Sequence, residues 1–274
     1  MKTALNQMTA PQLPLPAFLD LARALGCVGV ELRNDMDALG RPLLDGLPAS
    51  EAGDMVRVRG LRLLGLSQVY PFNSWSEARR AEVAALIATA REAGAETISL
   101  IPRNDGIGSA NGERQANLRI ALKEIHPMLV EADMVALVEP LGFTRASLRS
   151  KAELVEVIEA LDVADRFRIV HDTFHHTLAG GGPMFAEHTG IVHVSGLTDP
   201  TPTLDEMEDA HRVLIDGTDR LSNVEQIAAL LAAGYDGAFS FECFAPEIHA
   251  LRDPFTALRQ SIDFISAQLQ AHAA

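Results

Sequence analysis

The sequence predicts an α/β fold, a (β/α)8 TIM barrel. Three observations predict it. Short apolar strand-like runs recur along the chain, helix-like stretches with apolar residues at three-to-four spacing separate them, and no hairpin signal joins neighbouring strands. A length of 274 residues suits one such domain spanning 1–274. A doubly wound sheet would want a glycine-rich phosphate turn after its first strand. Here the first strand runs into QMTAPQLPLP, which has no glycine. The GGG at 180–182 is not G-x-G-x-x-G and reads as a loop.

The strand-like runs, in order, are TALNQ (3–7), VGVEL (28–32), RLLGLSQ (62–68), TISLIP (97–102), MVALVE (134–139), RIVHD (168–172), IVHVS (191–195) and AFSFE (238–242). Most are rich in Val, Ile, Leu or Phe and bounded by Gly, Pro or Asp. The helix-like stretches begin with PAFLDLARALG, which stops at Gly26, and SEARRAEVAALIATAREAG, which stops at Gly94. NLRIALKEIHPMLVEA, LRSKAELVEVIEAL, SNVEQIAALLAAG and FTALRQSIDFISAQL follow. Ser222-Asn223 and Asp253-Pro254 are helix-start signals. After the sixth strand, GGGPMFAEHTG offers only a short helix.

The formal net charge is -14, and the densest basic cluster is RVRGLR. Nucleic acid or an anionic membrane would need a strong basic patch against that field, so neither is expected as a partner. Cys27 and Cys243 lie in apolar runs outside any C-x-x-C pair and read as buried thiols. MKTALNQMT carries no apolar leader region, and no apolar run approaches the ~20 residues of a membrane span. A soluble cytoplasmic protein is the expectation.

Four of the apolar runs end in a metal-ligand residue type: Glu139, Asp172, His193 and Glu242. Strand side chains alternate faces, so counting back tests where each points. Val135, Leu137 and Glu139 share a face, as do Val170 and Asp172, then Ile191, His193 and Ser195, then Ser240 and Glu242. All four candidates therefore point into the barrel at its C-terminal mouth. Alone, a glutamate at a strand end is ordinarily a solvated rim residue. Together, three carboxylates in one barrel mouth repel unless a cation sits among them. The oxygen-rich set suits one divalent ion: Mn²⁺, Mg²⁺, Co²⁺ or Zn²⁺.

His171 faces outward toward the helices and reads as structural. His175, in the loop after Asp172, could line the pocket. Glu31 and Arg33 share a face and read as a buried ion pair, with substrate contact as the alternative. Tyr70, Phe72 and Trp75 follow the third strand at the mouth, where an apolar wall and ordinary packing explain them about equally.

With these residues in hand, the chain resembles the xylose-isomerase-like barrel superfamily of sugar isomerases and epimerases, and within it the inosose isomerase type. VEPLGF (138–143), HDTFHH (171–176), VHVSG (192–196), DAHRVLIDG (209–217) and FSFECFAPE (239–247) carry the resemblance, with VELRND (30–35) in the N-terminal half. The resemblance implies that Glu139, Asp172, His193 and Glu242 coordinate the metal. It implies that His175 and Arg212 contact substrate oxygens, and that Glu139 and Glu242 combine ligand and acid/base roles. The implied reaction moves a proton through an enediolate of a sugar or cyclitol ketone. A ketose 3-epimerase or hydroxypyruvate-type isomerase would use the same ligands. An abasic-site endonuclease shares the barrel but would need a basic surface, and a non-catalytic sugar-binding barrel would bind without turnover. Related members carry Pro-Gly-x-Gly after the arginine, where this chain has Ile215-Asp216-Gly217-Thr218. That departure bears on substrate identity. Family analogy also implies a homo-oligomer.

Overall fold

The computed structural model describes residues 1–36 and 39–273. Eight parallel strands close into a barrel in sequence order: β1 Lys2–Asn6, β2 Gly29–Arg33, β3 Arg62–Val69, β4 Thr97–Leu100, β5 Val135–Val138, β6 Phe167–Asp172, β7 Thr189–Val194 and β8 Ala238–Phe241. β1 pairs with β8, which completes the ring. Each lies on its predicted run, within two residues at either end.

Strand alternation divides the core in two. Ala4, Leu64, Leu137, Val170, Ile191 and Ala238 form a cluster in line with the inward-counted positions and fill the barrel below the four candidate residues. The intervening residues, among them Val30, Leu63, Ile98, Ile169 and Phe239, pack outward against the helices in a larger cluster. Each fully buried side chain of this kind contributes about 1.5–3 kcal/mol.

The helices are α1 Leu15–Ala24, α2 Ala49–Arg57, α3 Glu77–Ala93, α4 Glu113–Ala132, α5 Lys151–Leu161, α6 Thr173–Leu178, α7 Asn223–Ala232, α8 Pro246–His249 and α9 Pro254–Ala273. Local signals set their ends. The Ser76 and Ser150 hydroxyls accept from the Arg79 and Glu153 amides at the starts of α3 and α5, and Gly94 closes α3 in the left-handed region. The predicted short helix in GGGPMFAEHTG is corrected to a single 3-10 turn, Ala186–His188, and the helix after β6 lies earlier, at α6. Two further helices lie outside the predicted set, α2 and α8. Among the described residues, no helix is long and apolar enough to cross a membrane.

Candidate metal centre

Every ligand candidate sits at a strand's C-terminal end. Glu139 and Glu242 follow β5 and β8 directly, Asp172 ends β6, and His193 is the penultimate residue of β7. Parallel register brings them to one level, with Asp172 beside His193 across β6 and β7. One ligand atom from each lies within 4.8 Å of the others, and all four residues are buried.

Asp172 has two functions. Its Oδ1 caps α6 by accepting from the His175 amide at 2.8 Å, while Oδ2 faces the other ligands. The D-x-x-H spacing is thus an N-cap and its third helical residue, so one carboxylate also fixes the backbone at His175. Gly142, after β5, tightens this arrangement. A Cβ there would sit 2.5 Å from the His175 carbonyl oxygen and from Leu178 Cβ.

His193 is held from behind. Its Nε2–H donates to Glu31, 3.2 and 3.1 Å from the two carboxylate oxygens. Nδ1 then faces the ligand set, 3.2 Å from Glu242 Oε2, 3.5 Å from Glu139 Oε1 and 4.0 Å from Asp172 Oδ2. None of these approaches is a well-directed hydrogen bond, and His193 Nδ1 and Glu139 Oε1 are both buried without a partner. Buried polar atoms are ordinarily satisfied. Two orphaned atoms inside a set of three carboxylates and one imidazole fit a divalent cation.

Charge in the cluster is unevenly compensated. Burial and the neighbouring Glu242 raise the Glu139 carboxyl above its usual range. Burial opposes ionisation of Glu242 as well, but His193, Arg212 and Arg33 outweigh it and hold that carboxyl well below the ordinary value. At Asp172, burial is likewise outweighed by Arg212 and His175, and its carboxyl is lowered. At His193, burial is outweighed by Glu242 and Glu31, and the imidazole is raised well above the usual histidine value.

The two arginines are built into the wall. Arg212 Nη2 donates to Asp172 Oδ2 at 2.5 Å and to Glu242 Oε2 at 3.0 Å, and Nε donates to Ser195 Oγ at 2.9 Å. Its guanidinium lies 5.2 Å from the Phe174 ring centroid and 4.7 Å from that of Phe244. The expected Glu31–Arg33 ion pair is corrected. Arg33 donates to Asp35 through Nε and Nη2 and to Glu242 Oε1 through Nη1 at 2.5 Å. The β2 side chains diverge, Glu31 to His193 and Arg33 to the mouth, where fixed carboxylates draw the guanidinium.

A cavity of about 220 Å³ opens above the cluster, lined by Arg33, Glu139, His175, Arg212 and Glu242, with Tyr70, Phe143 and Phe244 as its aromatic walls. His175, expected in a loop, is instead the third residue of α6, and both it and Arg212 line this cavity. Tyr70 reaches the mouth, Phe72 is core, and Trp75 packs against the core beneath Arg80. His171 is buried on the outer side, between Lys151 and Gln226. Sequence reasoning missed Asn6, which donates to Glu242 Oε1 at 3.2 Å and to Glu31 Oε2 at 3.5 Å. A polar residue at the end of β1 was its only signal. Glu31 was noticed without its partner.

A closed barrel with four convergent ligand-type side chains at its C-terminal mouth defines a class: a (β/α)8 barrel with a candidate divalent-metal centre. The family model described as xylose isomerase-like TIM barrel matches residues 19–268, and the chain belongs to that family. Among solved structures, it is similar to a xylose isomerase domain-containing protein of Salmonella typhimurium LT2, at 28% identity over 98% of this chain and 97% of that one, with a TM-score of 0.88. The IOLI protein with a bound zinc atom aligns at 17% identity over 97% and 99%, with a TM-score of 0.85. D-psicose 3-epimerase of Clostridium cellulolyticum H10 aligns at 15% identity over 98% and 99%, with a TM-score of 0.73. No curated protein matches by sequence.

Proposed function

We propose that residues 1–274 form one barrel domain, a divalent-metal-dependent isomerase or epimerase acting on a sugar or cyclitol ketone of the inosose type. The observation that carries this reading is the buried set Glu139, Asp172, His193 and Glu242 beneath a cavity lined by charged and aromatic side chains. The zinc-bearing IOLI structure and the epimerase fold are in keeping with it. When bound by these four residues, a divalent ion supplies Lewis-acid stabilisation of the negative charge that develops as a ketone loses its α-proton.

The protein's own groups do the rest. Glu139 and Glu242 share ligand and acid/base roles, one taking the proton from the carbon beside the ketone and the other returning one. Arg212, fixed by Ser195, Asp172 and Glu242, anchors a substrate oxygen by a charge-assisted hydrogen bond. His175 orients a hydroxyl. Tyr70, Phe143 and Phe244 cover the C–H face of the substrate. The substrate is a small molecule, since acidic groups line the mouth and the net charge is -14.

A panel of inososes, ketohexoses and hydroxypyruvate, assayed with Mn²⁺, tests the reading. Turnover of an inosose or ketohexose is the expected result, and the preferred member separates isomerase from epimerase. Turnover of none, with cleavage of an abasic duplex instead, would overturn it.

Glu31 is expected to set metal affinity by holding the His193 tautomer. Glu31→Gln keeps the shape but weakens the acceptor, and metal affinity should fall about 10- to 100-fold. Titration of chelator-stripped protein with Mn²⁺ reads this directly. An unchanged affinity would mean that Glu31 is packing alone.

A further inference from the structure

A second cavity, of about 190 Å³, lies on the flank of the barrel between the first turn of α5 and the loop that follows α6. Arg149, Ser150, Lys151, His176, Gly181 and Phe185 are among its lining residues. The mechanism above uses none of these six.

Lys151 is only 9% exposed. Lysines so deeply buried ordinarily carry a carboxylate partner. Among the described residues no carboxylate pairs with Lys151, and its hydrogen-bond partner is His171 Nδ1 at 2.7 Å. That imidazole is neutral, as the hydrogen-bond directions show. Gln226 Nε2 donates to the Leu221 and Thr173 carbonyls at 2.8 and 3.2 Å, so its Oε1 is left to accept from His171 Nε2–H at 2.9 Å. His171 Nδ1 therefore carries the lone pair and accepts from Lys151. Among the described residues nothing neutralises the ammonium, and burial accordingly pushes it down to about 7.

His176 adds an independent observation. It is 8% exposed, lines the same cavity and makes no side-chain hydrogen bond among the described residues. In the first turn of α5 the Glu153 and Leu154 amides donate to Ser150, while the Lys151 and Ala152 amides have no intrahelical acceptor and favour negative charge. Glu153, the acidic residue of that turn, is committed to Arg114. The carboxylate that does line the cavity, Asp172, has both oxygens engaged, Oδ1 by the His175 amide and Oδ2 by Arg212.

We propose that this flank cavity binds a small oxyanionic group, a phosphate or a carboxylate, with the Lys151 ammonium as its counter-charge and His176 and the Lys151 and Ala152 amides as its donors. The group is either free or carried on a sugar. Asp172 and His175 also belong to the cavity wall, so occupancy would bear on the back of the metal centre. The site does not depend on the reaction proposed above.

Titration of the full chain with inorganic phosphate, and separately with a hexose phosphate, tests this by calorimetry and amide NMR. A Kd of about millimolar or tighter is expected, with shifts at Lys151, His176 and Gly181. Lys151→Met should weaken binding at least tenfold, and Lys151→Arg should retain it. Binding of phosphate alone identifies a free anion. Binding of the hexose phosphate alone, with the same dependence on Lys151, identifies a carried one. If Lys151→Met does not fold, the shift map of the unaltered chain decides. Binding of neither probe, shifts confined to other regions, or unaltered affinity in folded Lys151→Met would overturn the proposal.

Discussion

Glu242→Gln should lower turnover of the metal-loaded protein by roughly 10²-fold or more. Glutamine keeps the shape of the side chain but only one of its two oxygens, enough for Arg33 and Asn6 or for Arg212, and it does not accept a proton from carbon. The position has no substitute. Glu242 is the carboxylate that binds both arginines, lies 3.2 Å from His193 Nδ1 and lines the cavity. Because Glu242 is also a ligand candidate, the assay must be run at saturating Mn²⁺ with bound metal measured in the same sample. A chemical role predicts loss of turnover with metal present. Near-wild-type turnover in the metal-loaded variant would remove Glu242 from the chemistry.

Metal should also stabilise the fold. Three buried carboxylates share one mouth, and Arg212 and Arg33 compensate them only in part. A ligand bound only by the folded chain at about 1,000 times its Kd contributes about 4 kcal/mol. For a protein of this size that corresponds to a rise in Tm on the order of 10 °C. Stripping with a chelator should reverse the rise and abolish turnover. An unchanged melting curve, with no metal found by elemental analysis, would argue against the centre.

The sequence made the barrel and the ligand set legible for one physical reason. Strand side chains alternate with period two, so four residues at strand ends could be placed on the inner face by counting. Leu137, Val170 and Ile191 then appear in the inner cluster as counted. Short helices were not legible. α2 puts its buried residues on one face, but it has nine residues with Gly53, a poor helix former, at its centre; Gly53 approaches the end of α3 closely, and a Cβ there would lie 2.0 Å from the Ala93 carbonyl oxygen. α6 has six residues, and its signal was the Asp172 cap rather than a periodic face. Partner choice was also hidden. Spacing put Glu31 and Arg33 on one face, but which partner each would meet depends on strands far away in sequence, here the β7 imidazole and the glutamate after β8.

The central claim is that a metal held at this barrel mouth lets Glu139 and Glu242 move a proton at a substrate carbon. Incubating the metal-loaded protein in deuterated solvent with each ketone of the panel, and following the C–H signal next to the carbonyl by NMR, tests that claim most directly. For a ketone whose binding is first established by a shift in Tm, the predicted result is deuterium at that carbon, lost on chelation and in Glu242→Gln. A ketone that binds the metal-loaded protein tightly and exchanges no proton would contradict it, and the barrel would then be a binding protein.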